Sequence, residues 1–342
     1  MKSVRLRELL DGFARVRLAV FGDFFLDRYL IIDPARTEVS LETGLEAYQV
    51  VDKRPQPGAA GTVTSNLAAL EVGEIRAVGF IGDDGEGYEL RQGLEATGIN
   101  TRHLLVRPEL LTPTYCKPMI REPGGIEREI NRLDTKNWEP ISRELEDALL
   151  AELRECLPDL DGIIVADQVE QPDLGAITPR VCDGLAALVE SHPSKVFFAD
   201  SRADISRFRG IIIKPNSLEA AGAVGIGSED EPAREQVEAA AAELHARSSR
   251  PVFVTMGEDG ILVADAAGVT HAPGIKVKGP IDIVGAGDSA TAGIVSALCA
   301  GATNQEAALM GNLVASITIQ QLGTTGTASP QEVVDRLRDA FQ

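Results

Sequence analysis

The chain has 342 residues, 44% of them hydrophobic, which is enough for one large α/β core without a second ordinary domain. Its formal net charge of -19 argues against nucleic acid or an anionic membrane as partner, although a local site can still oppose the global sign. The four cysteines and four histidines are scattered without zinc or disulfide spacing, and no apolar run has signal-peptide or membrane-spanning character, so a cytoplasmic protein is expected.

Residues 1–15 carry Leu6, Leu9, Leu10 and Phe13 at helical spacing. Leu18–Phe21 is a buried-strand run that ends in Gly22-Asp23-Phe24-Phe25-Leu26-Asp27. Carboxylates at the end of a first strand lie where open α/β sheets bind ligands. Asp23 also reads as a turn former, which leaves Asp27 the better candidate for holding hydroxyl groups. Residues 31–57 alternate loosely and suggest strands outside the main sheet. Pro55–Gly61 then opens a helix that runs to about Leu70. A strand at Arg76–Ile81, a turn at Gly82–Gly85 and a helix at Tyr88–Thr97 follow. Irregular, strand-like patterning returns over 101–135, with Pro113, Pro118, Pro123 and Gly124-Gly125. The segments 31–57 and 101–135 pair as one small lid inserted in a single domain spanning 1–342.

From Ser142 onward, helices alternate with short apolar strands ending in polar loops. These strands are Gly162–Ala166, Lys195–Ala199, Ile211–Ile213 and Pro251–Thr255, and the helices include Leu174–Glu190 and Glu231–Ala246. That rhythm predicts a mostly parallel sheet with helical crossovers. Helices over Gln305–Gln321 and Pro330–Phe341 close the chain.

The most informative stretch is Asp282–Ala300. Gly285, Ala286 and Gly287 precede Asp288, and a helical apolar pattern follows (Ala290, Gly293, Ile294, Ala297, Leu298). A helix start offers unpaired N–H groups and partial positive charge, and small residues there let an anion approach the backbone. A carboxylate in that place fits a general base for an alcohol that attacks a phosphate. An N-terminal helix cap is the other reading of Asp288.

Five motifs occur in order: G-D-F-F-L-D (Gly22–Asp27), P-G-A-A-G (Pro57–Gly61), N-S-L-E (Asn216–Glu219), T-M-G-E-D-G (Thr255–Gly260) and D-I-V-G-A-G-D (Asp282–Asp288). Together they resemble the PfkB family of carbohydrate kinases, over essentially the whole chain. The resemblance implies a ribokinase-like α/β fold, a mostly parallel sheet flanked by helices with a small β lid. It implies transfer of the ATP γ-phosphate to a hydroxyl of a sugar or sugar phosphate. Asp288 matches the catalytic base, and Gly285, Ala286 and Gly287 match the anion hole. Asp27, Gly58, Ala59, Asn66 and Arg132 match the sugar side. Asn216, Thr255, Gly257, Gly260 and Asn312 match the nucleotide side, with Asn216 and Glu219 holding hydrated Mg2+. Many relatives also use a monovalent cation such as K+, and the lid often carries a homodimer contact.

Within the family, G-D-F-F-L-D-R-Y, I-N-R-L-D and G-T-T-G-T-A-S-P are similar to segments of the heptose-7-phosphate kinases. Arg28 and Arg132 then become candidates for a substrate phosphate, with a surface or lid salt bridge the alternative for each. The chain also departs from the pattern. Ala59 stands where a second glycine is usual, Thr62 where an asparagine is, Glu170 where a lysine is, and Val284 where a hydroxyl residue is. The nucleotidyltransferase domain of bifunctional heptose enzymes is not expected in these residues. The alternatives are a nucleoside or small-alcohol kinase of the same fold, or a silent sugar- or nucleotide-binding regulator. A Rossmann dehydrogenase is set aside, because the first strand does not lead into G-x-G-x-x-G.

Overall fold

The structure is a computed structural model that describes residues 1–122, 124, 127–227 and 231–341. Pro123 and Gly125 of the irregular stretch lie outside the described residues, as do residues 228–230.

The apolar runs assemble into a nine-stranded sheet among the described residues. From one edge its order is Gly268–Pro273, Gly260–Asp265, Val252–Thr255, Ile212–Ile213, Val196–Ser201, Gly162–Asp167, Arg17–Gly22, Glu74–Gly82 and Leu104–Arg107. The seven strands from Val252–Thr255 to Leu104–Arg107 are parallel, and the last two at the other edge are antiparallel. Alternate residues of the central strands face two separate cores, as a sheet covered on both sides requires. Leu18, Val20, Ile164 and Phe198 pack under the helices Ser3–Phe13, Ala60–Ala69, Ala286–Cys299 and Asn304–Thr318. Ala19, Phe21, Ile163 and Phe197 face the opposite way, under Arg143–Cys156, Pro179–Ser191 and Arg234–Ser248.

Strand order reverses at Arg17–Gly22: the chain first builds toward Leu104–Arg107, then toward Gly268–Pro273. A crevice forms at such a reversal, beyond the carboxyl ends of the strands. Asp23, Asp167, Asp200, Lys214 and Thr255 all stand at those ends.

A second sheet lies off the main one, in the order Leu133–Thr135, Thr114–Arg121, Phe24–Ile32, Val50–Ala59, with Glu127–Glu129 beside Thr114–Arg121. It starts earlier than the irregular patterning at residue 31 suggests, because the chain turns out of the main sheet directly after Gly22. Asp27 is therefore a strand residue. Pro55 and Pro57 also belong to a strand rather than to a helix-opening loop. Val50–Ala59 is an edge strand of that sheet, where a missing N–H is tolerated. The helix expected from Leu174 begins instead at Pro179, with Thr178 as its cap accepting from Val181 N–H. The residues before it are held in a loop by Asp23.

Ala59 joins this edge strand to the helix Ala60–Ala69 with φ +54° and ψ −118°, a conformation that a Cβ disfavours. Such strain costs about 1–3 kcal/mol, while glycine would cost about 0.5–1 kcal/mol in chain entropy. Ala59→Gly is therefore expected to stabilise the fold by about 1 kcal/mol and raise Tm by roughly 2 °C. A thermal melt that shows an unchanged or lower Tm would remove strain as the description of this residue.

Candidate active site

The start of the helix Ala286–Cys299 lies at the crevice. Gly285 caps it in the left-handed conformation, φ +79°, so the chain turns sharply and leaves the first N–H groups without intrahelical acceptors. The loop before it is fastened from behind. Asp282 accepts from Val284 N–H (3.1 Å) and Gly323 N–H (3.2 Å), and its own N–H donates to the Ile319 carbonyl. A Cβ on Gly285 would stand 3.3 Å from Thr62 and 3.5 Å from Thr325, so these two threonines wall the turn. Thr62 thus occupies the place for which the sequence pattern led us to expect asparagine.

Asp288 sits in the first turn, with part of its surface open to the crevice. Its pKa is pushed up to about 7, first by loss of water around the carboxylate and then by Asp200, while Lys214 and Arg202 oppose the shift. The N-cap position is held by Gly285, which has no side chain, so Asp288 stands inside the first turn and not at the cap. A carboxylate titrating near neutral pH can exchange a proton with a bound hydroxyl.

Two groups that the sequence did not single out complete this end. Lys214 is buried, and its Nζ lies 2.8 Å from Asp200 Oδ2. Thr291 Oγ1 donates to the same Asp200 oxygen at 3.1 Å. A Cβ on Gly287 would lie 3.6 Å from Lys214 Nζ, so the ammonium sits against the helix start. Burial works against the lysine charge, but Asp200 together with Glu219 and Asp288 outweighs it and raises the pKa. The signal for Lys214 was its place directly before P-N-S-L-E; for Asp200 it was only the end of a strand.

Asp27 faces the crevice from the second sheet. Its Oδ1 is buried, with Lys117 Nζ at 3.0 Å, and Lys117 also reaches Tyr29 OH and lies over the Tyr29 ring. Gly58 lies opposite, where a Cβ would come within 2.6 Å of Asp27 Oδ2, so only glycine lets the edge strand approach this carboxylate. Asn66 is different. It is fully buried and donates from Nδ2 to the Thr62 carbonyl one turn back, so it offers the crevice no accessible atom. Arg28 is neutralised by Glu86 (2.7 Å) and Glu89 (2.8 Å), the salt-bridge alternative. Arg132 is held by both oxygens of Asp134 and stacks 4.3 Å above the Tyr115 ring.

Asp23 turns out to be an organiser rather than a turn former. Buried beside the crevice, it accepts from the backbone N–H groups of Gln168 (2.8 Å), Val169 (3.1 Å) and Ala176 (2.7 Å). Those bonds shape the loop that contains Glu170. Asp167 next to it pairs with Ser201 and Arg207, and its pKa is pushed up to about 6 by burial and by the nearby Asp23.

On the far side, Asn216 and Glu219 form a reciprocal capping box. Asn216 Oδ1 accepts from Glu219 N–H (2.9 Å), and Glu219 accepts from Asn216 N–H (2.8 Å). That arrangement occupies only one carboxylate oxygen of Glu219. Thr255 N–H donates to the Pro215 carbonyl, which joins this turn to the segment containing Gly257 and Gly260, both at positive φ. Asn312 donates both amide hydrogens to the Ala272 and Pro273 carbonyls and so anchors the antiparallel edge behind that segment. No cluster of three or more histidine, cysteine or carboxylate side chains suited to a metal occurs among the described residues.

Residues 207–332 match the model of the pfkB family carbohydrate kinases. The matched segment includes Lys214, Asn216, Glu219, Thr255 and the helix start at Asp288. Among solved structures, the Arabidopsis thaliana ribokinase complexed with ribose and ATP is similar at a TM-score of 0.66. It is 18% identical, over 94% of this chain and 99% of that one. The Escherichia coli phosphofructokinase-2 in complex with potassium reaches 0.71, at 17% identity over 96% and 99%. The fold is ribokinase-like, and fold and segment together define a carbohydrate kinase, a phosphotransferase with an alcohol acceptor. More particularly, the chain is similar to proteins named bifunctional protein HldE. The one from Wolinella succinogenes is 29% identical over 98% of this chain and 67% of its own length. The one from Halorhodospira halophila is 30% identical over 95% and 64%. The chain thus spans about two thirds of the length of these relatives. No helix among the described residues is long and apolar enough to cross a membrane.

Proposed function

We propose that this sugar kinase uses ATP, that Asp288 is its general base, and that its acceptor is heptose 7-phosphate. The observation that carries the catalytic part is the Asp288 carboxylate, in the first turn of a helix whose N–H groups face the same crevice, with its pKa raised to about 7. Asp27, across the crevice, holds the acceptor sugar by its hydroxyls, and Gly58 and Ala59 bring the edge strand against it. Asp288 takes the proton of the attacking hydroxyl. The N–H groups at Gly285 and Gly287 hold the charge that builds on the transferring phosphoryl, that of Ala286 being donated to the Ile283 carbonyl at 3.1 Å, and Lys214 adds a fixed cation beside them. Preorganised donors of this kind are worth a few kcal/mol each in the transition state.

The nucleotide lies along Asn216, Thr255, Gly257 and Gly260. Magnesium keeps most of its waters, so a site built from one or two oxygen-bearing side chains suits it. Glu219, with one oxygen left over from its capping box, fits that role beside Asn216. Bound there, the ion would neutralise phosphate charge. A monovalent cation is poorly served: both oxygens of Asp282 are already bonded, and Ile283 and Val284 bring no hydroxyl.

The second sheet acts as a lid in a single domain. Its exposed Val50 and Val51, and the exposed Val39, Leu41 and Leu45 beside them, favour a homodimer formed through it. Use of ATP suits a cytoplasmic protein. Heptose 7-phosphate is preferred because the similar HldE proteins extend over nearly the whole chain. ADP release from Mg·ATP across free and phosphorylated heptoses, hexoses, pentoses and nucleosides tests the assignment. Highest kcat/KM on heptose 7-phosphate is expected; preference for a nucleoside would overturn the acceptor.

A further inference from the structure

Asp27 and Arg28 are consecutive on the strand Phe24–Ile32, so they point to opposite faces of the second sheet, and each makes an ion pair. Arg28 reaches Glu86 and Glu89 on the helix Gly85–Ala96 and so ties the sheet to its neighbour. The pair on the other face joins nothing new. Lys117 belongs to Thr114–Arg121, which already pairs with Phe24–Ile32 from Leu26 to Ile32. The Lys117 and Asp27 side chains are only 13% and 11% exposed. An ion pair buried to this degree adds little to stability, because lost hydration offsets the attraction. Its effect falls on the carboxylate itself.

The ammonium is seated by its surroundings. Tyr29 is the register neighbour of Lys117 on one adjoining strand and of Arg54 on the other. Lys117 Nζ donates to Tyr29 OH at 3.3 Å and lies 4.8 Å from the ring centroid, while the Arg54 guanidinium stands 5.4 Å from the same centroid. Arg54 is anchored in turn by Glu127. Burial works against the Lys117 charge, but Asp27 together with Tyr29 outweighs burial and raises the pKa. Asp27 Oδ1, 3.0 Å from this ammonium, is buried and finds no other donor among the described residues. Oδ2 lies on the side of Gly58, where the absent Cβ leaves room beside it. We infer that Lys117 is a positioning residue for the acceptor: by holding Oδ1 it turns Oδ2 of Asp27 toward the acceptor hydroxyl, without touching the sugar itself. The inference rests on the hydroxyl-holding role proposed for Asp27. Without the ammonium, Oδ1 is left buried and uncompensated, a cost the side chain relieves by turning out toward water. Oδ2 then loses its aim.

The test is a double-mutant cycle of Lys117→Met and Asp27→Asn, read by calorimetric Kd and by KM and kcat, on the sugar that wild type binds most tightly. Each protein is checked by its melting curve. Should Lys117→Met not fold, Lys117→Gln takes its place with the same expected direction. Lys117→Met is expected to raise the acceptor Kd and KM by about tenfold, as loss of one charge-assisted contact does. Its kcat and its KM for ATP should change by less than about threefold, the pattern of lost acceptor binding. In the Asp27→Asn background the same change is expected to cost less than about twofold, because its target is already gone. A full tenfold loss in that background would mean that Lys117 acts on the sugar or the fold independently of Asp27, and overturns the proposal. Wild-type acceptor binding by Lys117→Met overturns it as well. Asp27→Asn with unchanged acceptor binding overturns the role of Asp27 and the positioning with it, while turnover leaves the kinase standing. Acceptor binding without turnover overturns the kinase, and a Lys117 effect that vanishes with Asp27 still supports the positioning. A wild type that binds no sugar overturns both.

Discussion

Replacing Asp288 with asparagine is expected to lower turnover by about a hundredfold or more while ATP still binds, because a positioned base contributes about 10²–10⁴-fold. The wild-type rate is expected to fall on the acid side with an apparent pKa near 7, since the carboxylate must be ionised to accept the proton. That acid limb should vanish from the residual rate of the variant. Stability should move the other way. The folded pKa of Asp288 lies above its unfolded value, so between about pH 4 and pH 7 the folded state binds more protons than the unfolded one. The carboxylate thus costs stability as pH rises through 7, and none of that cost remains below the unfolded pKa. Asparagine removes the cost, so at pH 8 Asp288→Asn should melt higher than wild type. A variant with wild-type turnover would exclude Asp288 as the base, and one that melts lower at pH 8 would contradict the raised pKa.

Lys214→Met is expected to have the next largest effect. It deletes the cation beside Gly287 and leaves Asp200 without its 2.8 Å partner. Breaking one side of a buried pair costs about 3–5 kcal/mol, and the lower end applies because Asp200 is partly exposed. Turnover should fall by about 10²–10³-fold, as it does when an anion-stabilising donor is lost. Because Lys214 holds the Asp288 pKa down, the acid limb should also move above 7. Combining Lys214→Met with Asp200→Asn separates the two losses. The double variant should recover most of the melting temperature and little of the activity. Recovery of both would mean that Lys214 serves the fold alone.

Much of this architecture is legible in the chain itself. Apolar strands that end in polar loops announce the parallel sheet, and G-A-G-D before a small-residue helix marks the helix start where Asp288 sits. Local signals fail where distant contacts decide the conformation. Pro55–Ala59 reads as a loop before a helix because two prolines and a glycine outweigh local strand propensity, yet pairing with Phe24–Arg28 makes it a strand. Asp23 reads as a turn former because its three backbone donors lie about 150 residues away. The Asp200–Lys214 pair is likewise a property of the fold, since neither member is singled out in its own segment. Asn66 misleads in the opposite sense: a polar residue in a ligand-side helix is fully buried and bonded to its own helix.

Phosphoryl transfer itself is the most direct thing to measure. The protein would be incubated with Mg·ATP labelled at the γ-phosphate and a panel of free and phosphorylated sugars, with Asp288→Asn run in parallel. The expected result is label covalently attached to a sugar hydroxyl in wild type, and a hundredfold or greater reduction in the variant. Label that stays in ATP, or appears only as inorganic phosphate whatever the sugar, would contradict the assignment of this chain as a sugar kinase.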